Sequence, residues 1–174
     1  MKTLTGNTVI LRALEPEDLS FLFETENNEV FWEVSHTLKP FSKFLLKQYL
    51  ENAHLDIFEA KQLRLVITEK INHATIGMID LFDFNPQHKR AGIGILIHEK
   101  YQNNGFASEA LKLLISYGFQ HLGLHQLYAN ITTDNTKSIT LFKKHLFAEV
   151  GLKKDWIFSN GIFKNELLFQ RINA

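Results

Sequence analysis

The chain has 174 residues, 19 Lys and Arg against 19 Asp and Glu, and no cysteine. That length fits a single globular domain spanning residues 1–174, and the balanced charge gives no electrostatic case for nucleic acid or an anionic membrane. The absence of cysteine excludes disulfides, thiolate metal sites and a cysteine nucleophile, and no metal is expected.

Residues 1–7 carry no apolar signal region, and no later apolar run approaches bilayer length, so the expected compartment is the cytoplasm. Val9–Arg12 reads as a first strand, followed by a helix that starts at Pro16 with acids around its positive end and Leu19, Leu22 and Phe23 turned inward. Phe41 to about Phe58 reads as a second helix with Phe44, Leu45, Tyr49 and Ala53 on the buried face. Three strands follow around Leu63–Ile67, Ile76–Phe82 and Ile93–Ile97, with a turn at Asn85-Pro86. From Gly105 the spacing is helical through Ala107, Ala110, Leu111, Leu114 and Gly118. Leu127–Ile131 is a strand, and Asn135–Leu146 a helix with Ile139 and Phe142 inward. Two last strands meet at Asn160-Gly161, a hairpin signal. The order βααβββαβαββ predicts a mixed α/β sheet with helices on both faces. Fifteen Phe predict an aromatic core or an apolar cleft.

The stretch Gln102-Asn103-Asn104-Gly105-Phe106-Ala107 stands between an alternating strand and a helix. A glycine-containing turn there lets backbone N–H groups converge on one concavity, and the helix adds the positive end of its dipole. Such a site suits a pyrophosphate without using a lysine. As a bare pattern it is common; its place between strand and helix gives it weight.

From about Val9 to Phe169 the sequence resembles the GNAT superfamily of acetyl-CoA-dependent N-acetyltransferases. The acyl-CoA signature of that family, Gln or Arg, two residues, Gly, one residue, then Gly or Ala, is matched by Gln102 to Ala107. A second family element, Asn with Ser or Ala three residues on and an aromatic at the seventh, is matched by Asn135, Ser138 and Phe142. Within the superfamily the chain is similar to the branch of spermidine and ribosomal-protein N-acetyltransferases, through His88-Lys89-Arg90, Tyr101-Gln102, Tyr117-Gly118-Phe119, Asn27-Asn28 and Phe158 to Gly161.

The resemblance implies an α/β (α+β) GNAT-like fold. It has a mixed, mostly antiparallel sheet of about six to seven strands, about four flanking helices, and a splayed strand pair forming the CoA cleft. Acetyl-CoA is the implied cosubstrate. Amides from Asn103, Asn104, Gly105, Phe106 and Ala107 would hold its pyrophosphate, with Gln102 opening the turn. Ile95, Leu96 and Ile97 would pair with the pantetheine amides as an added strand does. Asn135 would contact the CoA arm, with Ser138 and Phe142 in the same element. The chain departs from the family twice: many relatives have Tyr where Phe142 stands, and Gly where Leu146 stands.

The implied reaction transfers acetyl to a primary amine by direct attack in a ternary complex, which needs a proton acceptor for the ammonium. Asp80, a carboxylate inside the apolar strand Ile79-Asp80-Leu81, is the first candidate, unless it sits on the solvated outer face. His98, at the end of the next strand, is the second. Leu14 to His36 holds seven acids and no Lys or Arg, so an acidic rim including Glu29 and Glu33 is expected to draw a small cationic amine or polyamine. A solvated helix face is the alternative reading of those acids. A peptide N-terminus remains an alternative acceptor, and a CoA-binding GNAT-like domain without catalysis an alternative role. Homo-oligomerisation is left open.

Overall fold

The computed structural model describes residues 2–174. Seven strands form one sheet: β1 (Val9–Arg12), β2 (Leu63–Glu69), β3 (Thr75–Asn85), β4 (Arg90–Ile97), β5 (Gln126–Thr132), β6 (Ala148–Ser159) and β7 (Ile162–Ile172). Their order is β1-β2-β3-β4-β5-β7-β6, and β4–β5 is the parallel pair in an otherwise antiparallel sheet. A parallel neighbour needs a crossover, which α5 (Phe106–Ser116) supplies between β4 and β5. The other helices are α1 (Leu19–Glu26), α2 (Trp32–Ser35), α3 (Lys43–Glu51), α4 (Ile57–Ala60) and α6 (Thr136–Lys144). Four of the six are longer than one turn, and none is long and apolar enough to cross a membrane among the described residues.

Period-two alternation sorts the strand residues between two cores. Ile79 and Leu81 of β3, with Ile76 brought to the same side by the register shift opposite Ile67 and Thr68, join Ile93, Leu127 and Phe169 beneath Ala110, Leu111 and Leu114 of α5. Met78, on the opposite face of β3, packs with Leu22 of α1 and Leu46 of α3. The end of β1 is tied to α5 through Glu109, whose carboxylate accepts from the amides of Asn7 (2.8 Å), Thr8 (2.7 Å) and Val9 (2.9 Å). Burial works against that charge, but these bonds and the one from the Thr8 hydroxyl outweigh it and hold the carboxyl below its ordinary range.

The second helix predicted from the sequence is two helices in the structure. α3 ends at Asn52, and Asp56 starts α4 by accepting from the amides of Phe58 and Glu59. Its buried face is also different: Leu46, Tyr49 and Leu50 point inward, while Phe44, Leu45 and Ala53 face solvent. Leu46, Tyr49 and Leu50 satisfy the same helical spacing as the expected set, and the position of Met78 selects between the two phases.

Both φ angles at Asn160 and Gly161 are positive (51° and 79°), as a tight type I′ hairpin turn demands. At the end of α6, Leu146 itself takes the left-handed conformation, with φ 64°. Its N–H donates to Lys143 O (3.0 Å), and the N–H of Phe147 donates to Phe142 O (3.1 Å). That is the bonding of a Schellman motif, completed with leucine in the place that usually holds glycine.

Candidate active site

β4 and β5 pair only at Arg90↔Gln126, Ala91↔Leu127 and Gly92↔Tyr128. Beyond Gly92 the two strands part, while β4 stays paired to β3 and β5 to β7. The gap opens into a small inner cavity of about 60 Å³ and a larger outer cleft of about 640 Å³. Val34, Ile95, Asn135 and Ser138 line both, so the two spaces adjoin and together make up the β4–β5 channel.

Ile95, Leu96 and Ile97 form one wall of the outer cleft, and the turn 102–108 closes its end. Gln102 anchors that turn by donating its side-chain amide to Ile97 O (3.0 Å). Asn103 (φ 63°) and Gly105 (φ 80°) then bend the backbone through the left-handed region. A Cβ on Gly105 would meet nothing within 4 Å, so glycine is required there by the φ angle and not by crowding. The first backbone bond of α5 is donated by Glu109 to Gly105 O (3.2 Å), which leaves the amides of Phe106, Ala107 and Ser108 in the orphan first turn. Asn104 donates its side-chain amide back to Gln102 O (3.1 Å).

The opposite wall is the start of α6. Asn135 caps that helix by accepting from the Ser138 amide (3.3 Å) and faces both spaces. Phe142 lines the inner cavity and is 3% exposed, with its ring edge-on to Phe147. Lys137 and Lys144 also line the outer cleft. Their seven-residue spacing on α6 is the sequence signal that could have found them.

The structure places the two proton-acceptor candidates outside this channel. Asp80 is held in register opposite Arg64, whose Nε and Nη2 donate to its two carboxylate oxygens at 2.9 and 2.8 Å. Nη1 of Arg64 donates to Glu26 at 2.8 Å. Burial disfavours the guanidinium charge, but Asp80 outweighs it and raises the Arg64 pKa above its ordinary value. The cleft-facing carboxylate expected at Asp80 is therefore an ion pair between β2 and β3, on the α1–α3 face. His98 stacks on Phe21 (4.9 Å between centroids), and its Nε2 is 2.8 Å from the Thr25 hydroxyl. Burial pushes the imidazole below its ordinary pKa. His98 fastens α1 to the sheet directly through Thr25, and Asp80 does so through Arg64, which reaches Glu26.

Of the acidic stretch, Asp18 pairs with Arg12, Glu26 with Arg64 and Glu33 with Lys164. Glu33 alone of the seven lines the inner cavity, where it also accepts from the Ser159 hydroxyl (2.7 Å). Glu29 is exposed and lines neither space. Glu166, which the sequence reading missed, also lines the inner cavity. It is 3% exposed and accepts from Lys153 at 2.6 Å, and Lys153 also donates to Asn130 (3.0 Å). Tyr101 lines the outer cleft. Tyr128 instead donates to Asp83 (3.3 Å) on the paired side of the splay, and burial together with that carboxylate pushes its phenol up to about 12.

Residues 8–147 match the family model described as acetyltransferase (GNAT) domain. The spermidine N(1)-acetyltransferase of Escherichia coli K12 is 30% identical over 163 residues, covering 94% of this chain and 85% of its own. That of Vibrio cholerae is 30% identical over 160 residues, covering 92% and 90%. Among solved structures, Vibrio cholerae spermidine N-acetyltransferase in complex with CoA and spermine superposes with a TM-score of 0.87 at 26% identity, covering 96% of each chain. A dodecameric structure of that enzyme in an intermediate state matches at a TM-score of 0.81 and 28% identity. With a GNAT domain over most of its length and the splayed β4–β5 pair that shapes the cleft, this chain belongs to the GNAT family and is an acetyl-CoA-dependent N-acetyltransferase.

Proposed function

We propose that the chain acetylates a primary amine of a small cationic acceptor, polyamines first, by direct attack within a ternary complex in the β4–β5 channel. The observation that carries this reading is the adjacency of the outer cleft to an inner cavity bordered by two carboxylates, Glu33 and Glu166. Similarity to spermidine acetyltransferases supports the acceptor class.

The residues of the outer cleft fit the cofactor. Its orphan amides at Phe106, Ala107 and Ser108, with Lys137 and Lys144 on the facing helix, suit a pyrophosphate. The β4 edge along Ile95–Ile97, free of β5, suits the pantetheine amides. When bound, acetyl-CoA supplies an activated acetyl thioester.

At the inner end, Glu33 and Glu166 each carry a lysine of the β6–β7 hairpin, and Lys164 also donates to Asp134 (2.6 Å). Glu33 and Glu166 keep carboxylate oxygens on the inner cavity, where an acceptor ammonium can share them with the two lysines. Orientation of the amine beside the thioester lowers the barrier by removing the entropy of encounter.

The test is thiol release and product analysis with spermidine, spermine, simple diamines and an N-terminal peptide. Acetylation of the polyamines supports the reading. Acetylation of the peptide alone overturns the acceptor class, and no transfer to any amine overturns the reaction.

A further inference from the structure

The hydroxyl of Ser108 and the imidazole of His145 are used by nothing described so far. Ser108 stands in the first turn of α5 and lines the outer cleft. His145 caps the end of α6, and its Nε2 is 2.8 Å from Ser108 Oγ. The backbone of His145 is pinned as well, since its carbonyl accepts from Arg171 (2.7 Å). The pair therefore joins the two helices whose ends frame the proposed phosphate end of the cleft, beside Lys144.

We propose that Ser108 and His145 form a proton-linked phosphate-recognition pair: His145 Nε2–H donates to Ser108 Oγ, which turns the Ser108 hydroxyl proton toward a cofactor phosphate. The inference rests on the cofactor reading of this cleft given above. A hydroxyl has one proton to donate. In the neutral Nδ1–H tautomer His145 Nε2 accepts that proton, so only lone pairs of Ser108 remain for the ligand, and these repel a phosphate oxygen. Protonation of His145 removes that arrangement, because both ring nitrogens are then donors. The neutral Nε2–H tautomer would donate with no proton uptake, and the proton count distinguishes the two tautomers.

The charged groups around the imidazole set its state. Burial lowers its pKa first, and Lys144 on α6, Arg171 on β7 and Lys112 on α5 lower it further. A phosphate anion at Ser108 acts in the opposite sense and raises it. Binding is then coupled to proton uptake, and affinity for a phosphorylated ligand rises as pH falls. Each unit by which the ligand raises the His145 pKa strengthens low-pH binding by up to about tenfold.

The experiment is calorimetry of dephospho-CoA binding from about pH 5 to 8, the range in which histidine titrates. Each pH is measured in two buffers of different ionisation enthalpy, which counts protons taken up. Dephospho-CoA lacks the phosphomonoester, whose own second ionisation falls near pH ~6. The wild-type protein is expected to take up a proton and to bind more tightly at low pH. His145→Gln keeps a side-chain donor and should bind with no proton uptake, and acetyl-pantetheine, which has no phosphate, should show none with either protein. Ser108→Ala should weaken dephospho-CoA binding several-fold near pH 6 at an unchanged fold. A pair that only tied α5 to α6 would move the melting temperature and leave the proton count alone. Equal proton uptake by wild type and His145→Gln overturns the inference, as does unchanged affinity of Ser108→Ala. Failure of the wild-type protein to bind dephospho-CoA at any pH contradicts the cofactor reading itself.

Discussion

The ring of Phe142 meets that of Phe147 edge-on, 5.0 Å between centroids, across the Schellman turn that ends α6. This contact is the hydrophobic partner that such a turn ordinarily carries. It fixes Phe142 against the core, with one side on the inner cavity. Phe142→Tyr should place its hydroxyl in that cavity, beside Asn135 and Ser138. The expected outcome is a melting temperature close to wild type and a higher kcat, since a phenol there can protonate the departing thiolate. A stability loss of about 1–3 kcal/mol would mean that the hydroxyl is buried without a partner.

Leu146 holds a left-handed backbone at φ 64° while 74% exposed. A leucine there costs about 1–2 kcal/mol, and its exposure means little packing is lost on removal. Leu146→Gly should raise stability by up to about 1 kcal/mol, after the greater freedom of glycine in the unfolded chain is subtracted. Chemical denaturation with an unchanged m-value checks this, and a loss of stability would contradict the assignment of strain.

Arg64 binds both Asp80 and Glu26, and the side chains of Arg64 and Asp80 are each 21% exposed. Arg64→Ala should cost on the order of 2–4 kcal/mol, because two half-buried carboxylates lose their counter-ion. Asp80→Asn should lower the melting temperature and leave the pH profile of kcat/KM in place. A lost basic limb at unchanged stability would restore Asp80 as the proton acceptor.

His98 and His145 are both held below their ordinary value of 6.5, chiefly by burial. The unfolded chain therefore binds more protons as pH falls through 6.5, so their contribution to stability is present above that pH and lost below it. Melting temperature should decline below about pH 6.5, and a His98→Gln variant should show a shallower decline. An equal decline in the variant would remove His98 from that account.

Much of the fold is legible because its signals are local. Asn160-Gly161 needs only its own backbone to specify a hairpin, and the turn after β4 needs only Gln102 to Ala107 and the nearby Ile97 carbonyl. The failures arise where distant residues decide. Asp80 reads as a lone acid in an apolar strand until β2 pairs with β3 and brings Arg64 opposite it. Phe44 and Leu46 are equally credible core residues of α3 until Met78 and Leu22 select Leu46. Glu166 and Lys153 stand on different strands, so neither marks the inner cavity by itself. The acidic run from Glu15 to Glu33 reads as one field, whereas Arg12, Arg64 and Lys164 neutralise three of its members.

The central claim, acetyl transfer in the β4–β5 cleft, is tested most directly by steady-state thiol release from acetyl-CoA. Wild-type protein and Gly105→Val are measured side by side with spermidine as acceptor. Valine at φ 80° must distort the turn that carries the Phe106 and Ala107 amides, while the fold elsewhere is untouched. The account predicts spermidine-dependent release by the wild type. In the variant it predicts a KM for acetyl-CoA raised by about tenfold or more, equivalent to about 1.4 kcal/mol, with the native melting transition retained. An unchanged KM for acetyl-CoA in the folded variant would contradict it.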